Sequence, residues 1–255
     1  MSRTTLSFAL TASLFGVGLT FVTAASAAEI KVLATVTVTE ALRELGPRFE
    51  RATSHKVLVV VEETARVTRR IEKGDYFDVA ILPARSIANL TKKGIIQEGT
   101  GAGIARSEIG LAMRAGAARP AIDTPEAFRQ TMLNATSVAY KVKSSSGNAF
   151  EAIMKRLEIV EPMAPKLRIV DSGRVAVLVA NGKAEFAVQL IPELLPVAGI
   201  ELVGPFPHAL QRKTGPLTAA VATGARQSAE AKAFIGFLTE PASLKALMAT
   251  GLQAP

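Results

Sequence analysis

The residues best suited to chemistry fall in one stretch, Lys141-Val142-Lys143-Ser144-Ser145-Ser146-Gly147-Asn148-Ala149-Phe150. Three consecutive hydroxyls and a glycine stand where a strand-like run, Ser137 to Tyr140, gives way to a helical pattern from Phe150 to Leu157. The first amides of a helix lack intrahelical partners, and the helix dipole places partial positive charge on them. Serine hydroxyls add donors, and a glycine lets another group come close to the backbone. The chemistry this favours is the cradling of an anion by neutral donors. An ordinary N-cap followed by a solvated loop is the plainer reading of the same residues. A second junction of this kind lies near the N-terminus. The run Glu29 to Ala34 alternates as a strand does, Thr35 to Thr39 follows, and Ala41, Leu42, Leu45 and Phe49 recur at helical spacing. Thr37 or Thr39 suits the helix cap there, with Glu40 in the first turn.

Composition removes several other chemistries. The chain has no cysteine, which excludes disulfides, thiolate metal sites and cysteine nucleophiles. His55 and His208 are its two histidines, and both fall in segments that read as exposed turns. A histidine-rich metal site or a Ser-His-Asp triad is therefore not expected. The formal charge of +8 favours anionic partners in a general way, or simply a basic solubilising surface. Nucleic acid is not expected as a partner: tryptophan is absent, aromatics make up 5%, and the basic residues are scattered along the chain.

The N-terminus reads as an export leader. Arg3 supplies the charge, Leu6 to Val22 is mostly apolar, and Thr23 to Ala27 ends in an Ala-x-Ala pattern, which places cleavage before Ala28. Retention as a short membrane anchor is the alternative to removal. Cleavage leaves 255 − 27 = 228 residues, enough for one large domain or two small ones.

The elements that must position these groups alternate. Val57 to Val61 is a continuous apolar run and reads as a strand buried on both faces. An amphipathic helix containing Val67 and Ile71 ends at Gly74, and a strand from Asp78 to Pro83 follows. Ile87 to Lys93 reads as a short helix, and Ser107 to Ala115 as a strand. Thr124-Pro125-Glu126 starts a helix that runs to about Leu133. Beyond the serine stretch, Lys166 to Val170 is strand-like, and Asp171-Ser172-Gly173-Arg174 opens an apolar helix. Glu185 to Leu190 is a strand leading into Ile191-Pro192-Glu193-Leu194. Strands over 200–203 and 217–222 and helices over 228–238 and 242–248 complete the chain. This alternation predicts an α/β fold with largely parallel sheets.

With the residues in this order, the chain resembles the periplasmic molybdate-binding protein family, the solute receptors of ABC importers with a type 2 periplasmic-binding fold. The similarity spans Ile30 to Leu42, Arg70 to Gly74, Asp78 to Ile81, Ser146-Gly147, Asp171 to Arg174 and Phe186 to Gln189. It implies two α/β lobes, residues 28–108 with 218–255 and residues 109–217, joined by crossover strands at Ile109 to Ala115 and Leu217 to Ala222. It also implies a bare anion held between the lobes by hydroxyls and backbone amides, with an ABC permease in the inner membrane as partner, a monomeric state, and no cofactor or metal. Carried over residue by residue, the ligand-binding positions fall at Thr37, Thr64, Ser144, Ser145, Ser146, Gly173 and Gln189. Two of these depart from the family pattern. A serine-rich loop is replaced by Glu62-Glu63-Thr64-Ala65-Arg66, and a tyrosine is replaced by Gln189. Arg66 and Arg174 are candidates to pair with the anion, and an arginine fork suits a carboxylate well.

A second reading is enzymatic. Aconitate isomerase resembles the same receptor family, so the scaffold can host proton transfer on a tricarboxylate. That chemistry needs a general base and cations on the carboxylates. Glu62, Glu63, Tyr140 and Lys141 are candidates for it, with Arg66 and Arg174 as clamps. On a third reading, a receptor that reports its ligand to a membrane sensor, the residues are silent.

Overall fold

The structure is a computed structural model that describes residues 27–211 and 215–255. The expected leader lies outside the described residues except for Ala27. Among the described residues no helix is long and apolar enough to cross a membrane.

The chain begins β1 (Glu29–Thr35), α1 (Thr39–Thr53), β2 (Lys56–Glu62), α2 (Thr64–Glu72), β3 (Val79–Pro83), α3 (Ala84–Lys92) and β4 (Ala102–Ala105). It continues through β5 (Ile109–Arg114), α4 (Pro125–Asn134), β6 (Val138–Lys141), α5 (Ser145–Arg156), α6 (Val160–Met163) and β7 (Leu167–Val170). Then follow α7 (Ala176–Ala180), β8 (Phe186–Leu190), α8 (Ile191–Leu194), β9 (Ile200–Pro205), β10 (Leu217–Val221), α9 (Ser228–Thr239) and α10 (Pro241–Ala249).

Two five-stranded sheets result, ordered β2-β1-β3-β10-β4 and β7-β6-β8-β5-β9. In the first, β1 runs parallel to β2 and β3, and β10 is antiparallel to both β3 and β4. In the second, β6 is parallel to β7 and β8, and β5 is antiparallel to β8 and β9. Both sheets are thus mixed, with parallel strands in the majority. Each forms a lobe covered by helices on both faces. On one face of the first sheet, Phe49 of α1 meets Phe234 of α9 edge-on at 5.0 Å, and on the other Leu33, Leu82 and Ile87 pack with α2 and α3. In the second lobe Phe128, Phe150 and Phe206 fill one face, and Val175, Val179 and Leu194 fill the other.

Two expectations from the sequence are corrected here. The Val57 to Val61 run is not buried on both faces: β2 is an edge strand, and Leu58 is 47% exposed. Its continuous apolar sequence reflects one face packed on α1 and an outer face left partly open. The expected crossover strands, β5 and β10, each belong to a single sheet, so the crossings are the segments between β4 and β5 and between β9 and β10.

Asp78 closes the first lobe. Its carboxylate is fully buried and accepts hydrogen bonds from the backbone N–H groups of Lys31, Arg226 and Gln227 and from the Tyr76 hydroxyl. One side chain therefore ties β1 to the start of α9, at the cost of a burial that only full hydrogen bonding makes tolerable. His55 is half-buried, and its Nδ1 accepts from the Ala28 N–H at 3.2 Å, so its role is to fix the start of β1. His208 is exposed.

Candidate functional site

The carboxyl ends of β1, β3, β6 and β8 all point toward the gap between the two sheets, the end of a doubly wound sheet at which ligands bind. A cavity of about 520 Å³ lies there, lined from both lobes. From the first lobe come Thr35, Thr37, Glu63 and Thr64, and from the second Lys143, Ser144, Ser145, Ser146 and Glu193.

The second-lobe wall is built on the start of α5. Ser144 is its N-cap: its Oγ accepts from the Gly147 N–H at 3.0 Å and donates to the Lys141 carbonyl at 2.8 Å. Ser146 is buried, with its Oγ 3.3 Å from that of Ser144. The amides of Ser145 and Ser146 have no protein acceptor among the described residues, as expected for the first turn of a helix. Gly147 serves the chain rather than a ligand. A Cβ at this position would lie 1.9 Å from the Lys141 carbonyl oxygen, so only glycine allows the strand end to tuck under the helix. Lys143, just before the cap, has φ +56°, a left-handed backbone that non-glycine residues rarely adopt and that recurs at functional sites.

The first-lobe wall is built on β1, on the short 3-10 turn Val36–Val38 and on the start of α2. Thr35 Oγ1 and Thr64 Oγ1 lie 2.9 Å apart, and the first-turn amides of Thr64 and Ala65 have no protein acceptor among the described residues. Neither threonine expected to cap α1 does so. Val38 occupies the cap position, Thr39 Oγ1 donates back to the Val36 carbonyl at 2.6 Å, and Thr37 turns into the cavity.

Among the described residues, three contacts between side chains cross between the lobes. Thr37 Oγ1 donates to Glu193 Oε1 at 3.2 Å. Lys141, buried at the end of β6, pairs with Glu63. Arg174 Nη2 donates to Glu40 Oε1 at 2.6 Å. Glu193 is also held from within its own lobe, where Gln189 Nε2 donates to its Oε2 at 2.6 Å. The Gln189 amide is oriented by the Val175 N–H, which donates to its Oε1 at 3.0 Å. Burial, and after it the negative field of Glu63, pushes the Glu193 carboxyl up to about 7, against the opposing pull of Lys141 and of the bonds from Gln189 and Thr37.

The cavity therefore gathers five of the nine residues expected to bind: Thr37, Thr64, Ser144, Ser145 and Ser146. The other four lie outside its lining. Arg66 sits on the outer face of α2 with its side chain 70% exposed, 3.9 Å from Glu62. Gly173 lies in the turn before α7 with φ +81°, and the helix-start amide two residues on, that of Val175, is spent on Gln189. Arg174 is engaged with Glu40. Gln189 is buried behind the wall, where it positions Glu193. Of the acid–base candidates, Glu62 is taken up by Arg70, and Tyr140 donates to Glu151. Burial and that carboxylate push the Tyr140 phenol up to about 12, which makes it a poor base near neutrality. Among the described residues there is no cluster of acidic or histidine side chains able to hold a metal.

Glu193 and Thr35 belong to the lining without having been candidates, and Glu40 holds Arg174 outside it. The available signal was position. Glu193 lies in α8, which follows the end of β8 directly, at the same kind of strand-to-helix junction as the serines. A carboxylate runs against the chemistry of an anion pocket, so position alone does not mark it as a lining group.

Comparison with known proteins places this geometry. The profile of a family described as bacterial extracellular solute-binding protein matches residues 30–253. The chain belongs to that family. A curated relative of this solute-binding protein, an aconitate isomerase from a Pseudomonas species, is 26% identical over 229 residues, covering 88% of this chain and 87% of the relative. Among solved structures, the periplasmic molybdate-binding protein of Azotobacter vinelandii superposes with a TM-score of 0.73 at 17% identity, covering 89% of this chain and 99% of that one. The sulfate-binding protein of Mycobacterium tuberculosis gives a TM-score of 0.68 at 16% identity, covering 89% and 87%. These structural likenesses establish the two-lobed type 2 periplasmic-binding fold.

Proposed function

We propose that this solute-binding protein works as a monomer in the periplasm, closing its lobes over a small organic carboxylate and delivering it to an ABC permease of the inner membrane. The observation that carries this reading is the convergence of two helix starts, α2 and α5, from opposite lobes on one cavity of about 520 Å³. Unpaired first-turn amides and side-chain hydroxyls on both walls favour negative charge without a neutralising metal. The volume falls in the range of sites for organic molecules and greatly exceeds what a four-oxygen anion fills. Lys143 on the second-lobe wall supplies a cation for a carboxylate arm.

A thermal-shift panel tests this. Ligand that binds only the folded state raises the midpoint by mass action. Di- and tricarboxylates are expected to raise it, and molybdate, tungstate and sulfate to leave it unchanged. A response confined to the oxyanions overturns the carboxylate reading and returns the cleft to the molybdate type.

The second reading, isomerisation of a tricarboxylate, is supported by the curated relative and by a cavity carboxyl poised near neutrality, the range suited to a general acid or base. Proton NMR of aconitate incubated with the protein distinguishes the two. Unchanged spectra support capture alone, and interconversion of the isomers supports the enzyme.

A further inference from the structure

The floor of this cavity poses a problem that its hydroxyls and helix starts do not resolve. They recruit an anion, yet Glu193 opens onto the same space, and two like charges in one poorly solvated site repel strongly. Glu63 has a cation of its own in Lys141, whereas Glu193 makes no ion pair among the described residues. Its partners are Thr37 and Gln189, both neutral. Of the elements packed against α8, the 36–38 turn and β8 supply these two side chains. The charged groups acting on Glu193 are Glu63, at the start of α2, and Lys141, at the end of β6.

We propose that Glu193 enters the anion complex as the neutral acid, so that the cleft captures its solute together with one proton from solvent. This rests on the carboxylate-capture reading and names the residue that couples it to pH. The hydrogen-bond arrangement is suited to the exchange. Gln189 cannot turn its amide, because its Oε1 is already held by the Val175 N–H, so Nε2 stays on Glu193 Oε2 in either state. The Thr37 hydroxyl can rotate. With Glu193 ionised, Thr37 donates to Oε1. With Oε1 protonated, that oxygen becomes a donor, and the Thr37 hydroxyl is released toward the solute. One proton therefore removes a repelling charge and turns two side chains of the wall into donors for the anion. The specificity that follows is for fully ionised carboxylates: a solute that carried its own ammonium group would instead favour ionised Glu193.

The sign follows from the carboxyl's position near 7 in the free protein. Below that value the acid is already formed and affinity is flat. Above it, each binding event takes up a proton and affinity falls. Between pH 7 and 9 the fall approaches roughly 50-fold if only the protonated form binds. The probe is tricarballylate, whose own carboxyls are ionised from about pH 7 upward and whose proton release below that is measured separately and subtracted, titrated calorimetrically into the wild-type protein in buffers of different ionisation enthalpy. Uptake approaching one proton is expected at pH 8 and little at pH 6, and Glu193→Gln is expected to bind with no proton uptake and a flat pH profile. Binding with no uptake at pH 8 in the wild type overturns the proposal without a variant that must fold. Uptake that persists in Glu193→Gln also overturns it, as does affinity that rises with pH. Absence of tricarballylate binding at every pH from 6 to 9 overturns the carboxylate-capture reading itself, and this proposal with it.

Discussion

On the second-lobe wall of the cleft, Ser144 finds both of its strong partners within its own turn, at the Lys141 carbonyl and the Gly147 N–H. On the first-lobe wall, Thr37 and Glu63 find their side-chain partners across the gap, at Glu193 and Lys141, and beside the cavity Glu40 reaches Arg174 as well as Arg43 of its own helix. Both walls offer unpaired helix-start amides, but one is rigid before closure and the other is completed by it. The lesson is that a shared set of donors divides its labour. The second lobe holds a preorganised cradle, which costs little to engage. The first lobe carries groups whose alignment reports whether the lobes have met.

The sharpest way to break that contrast is Gly147→Ala. The added Cβ has backbone in its path, which cannot swing aside as a side-chain tip would. Loss of about 3 kcal/mol of stability is expected, as for severe overpacking, together with loss of solute capture. A urea midpoint close to that of the wild type would mean the cradle is softer than described.

The next effect is on stability against pH. The Glu193 carboxyl moves from an ordinary 4.5 to about 7 in the folded protein, so the folded state retains a proton that the unfolded chain has already lost. Stability is therefore full below about 4.5, falls as pH rises toward 7 and is level above, by about 3 kcal/mol in total. Denaturant midpoints measured across this window should show the slope in the wild type and not in Glu193→Gln.

A smaller effect sharpens the comparison between walls. Ser146→Ala and Thr37→Ala each remove about 1 kcal/mol of hydrogen bonding to the solute, so the double variant should bind about 30-fold more weakly. Only Thr37→Ala should also shift the lobes apart in small-angle scattering of the unliganded protein. Equal compactness of the two single variants would remove the distinction drawn above. The smallest effect is that of Arg66→Ala. With its side chain on the outer face of α2, both affinity and stability should stay within about 0.5 kcal/mol of wild type.

The fold was legible wherever a period ran long enough to fix an element. Ala41, Leu42, Leu45 and Phe49 define α1, and Thr124-Pro125-Glu126 starts α4 where the cap chemistry puts it, with Thr124 Oγ1 accepting from the Ala127 N–H. The four-residue elements β4 and α6 left no such trace. The burial of β2 was not legible, because an apolar run does not reveal whether a strand sits at the centre or edge of its sheet, and β2 lies at an edge. The hydroxyls of the site could be read from their place at strand-to-helix junctions. The arginines could not, because a long side chain near a junction has many directions open to it, and the carboxylates of Glu62 and Glu40 settle where Arg66 and Arg174 point. Gln189 shows a further limit: its position was noted, but its side chain acts on Glu193 one shell back from the cavity.

The path of the chain between the sheets has a temporal consequence. All five strands of the second sheet lie between residues 109 and 205, whereas the first sheet needs β10, made after the whole second lobe, to bridge β3 and β4. Closing so long a loop is entropically expensive, and distant pairings form late. The second lobe can thus ripen as soon as its own residues are available, while the first waits for the C-terminal segment. Pulse-labelled hydrogen exchange during refolding would show amides of β6 and β8 protected ahead of those of β3.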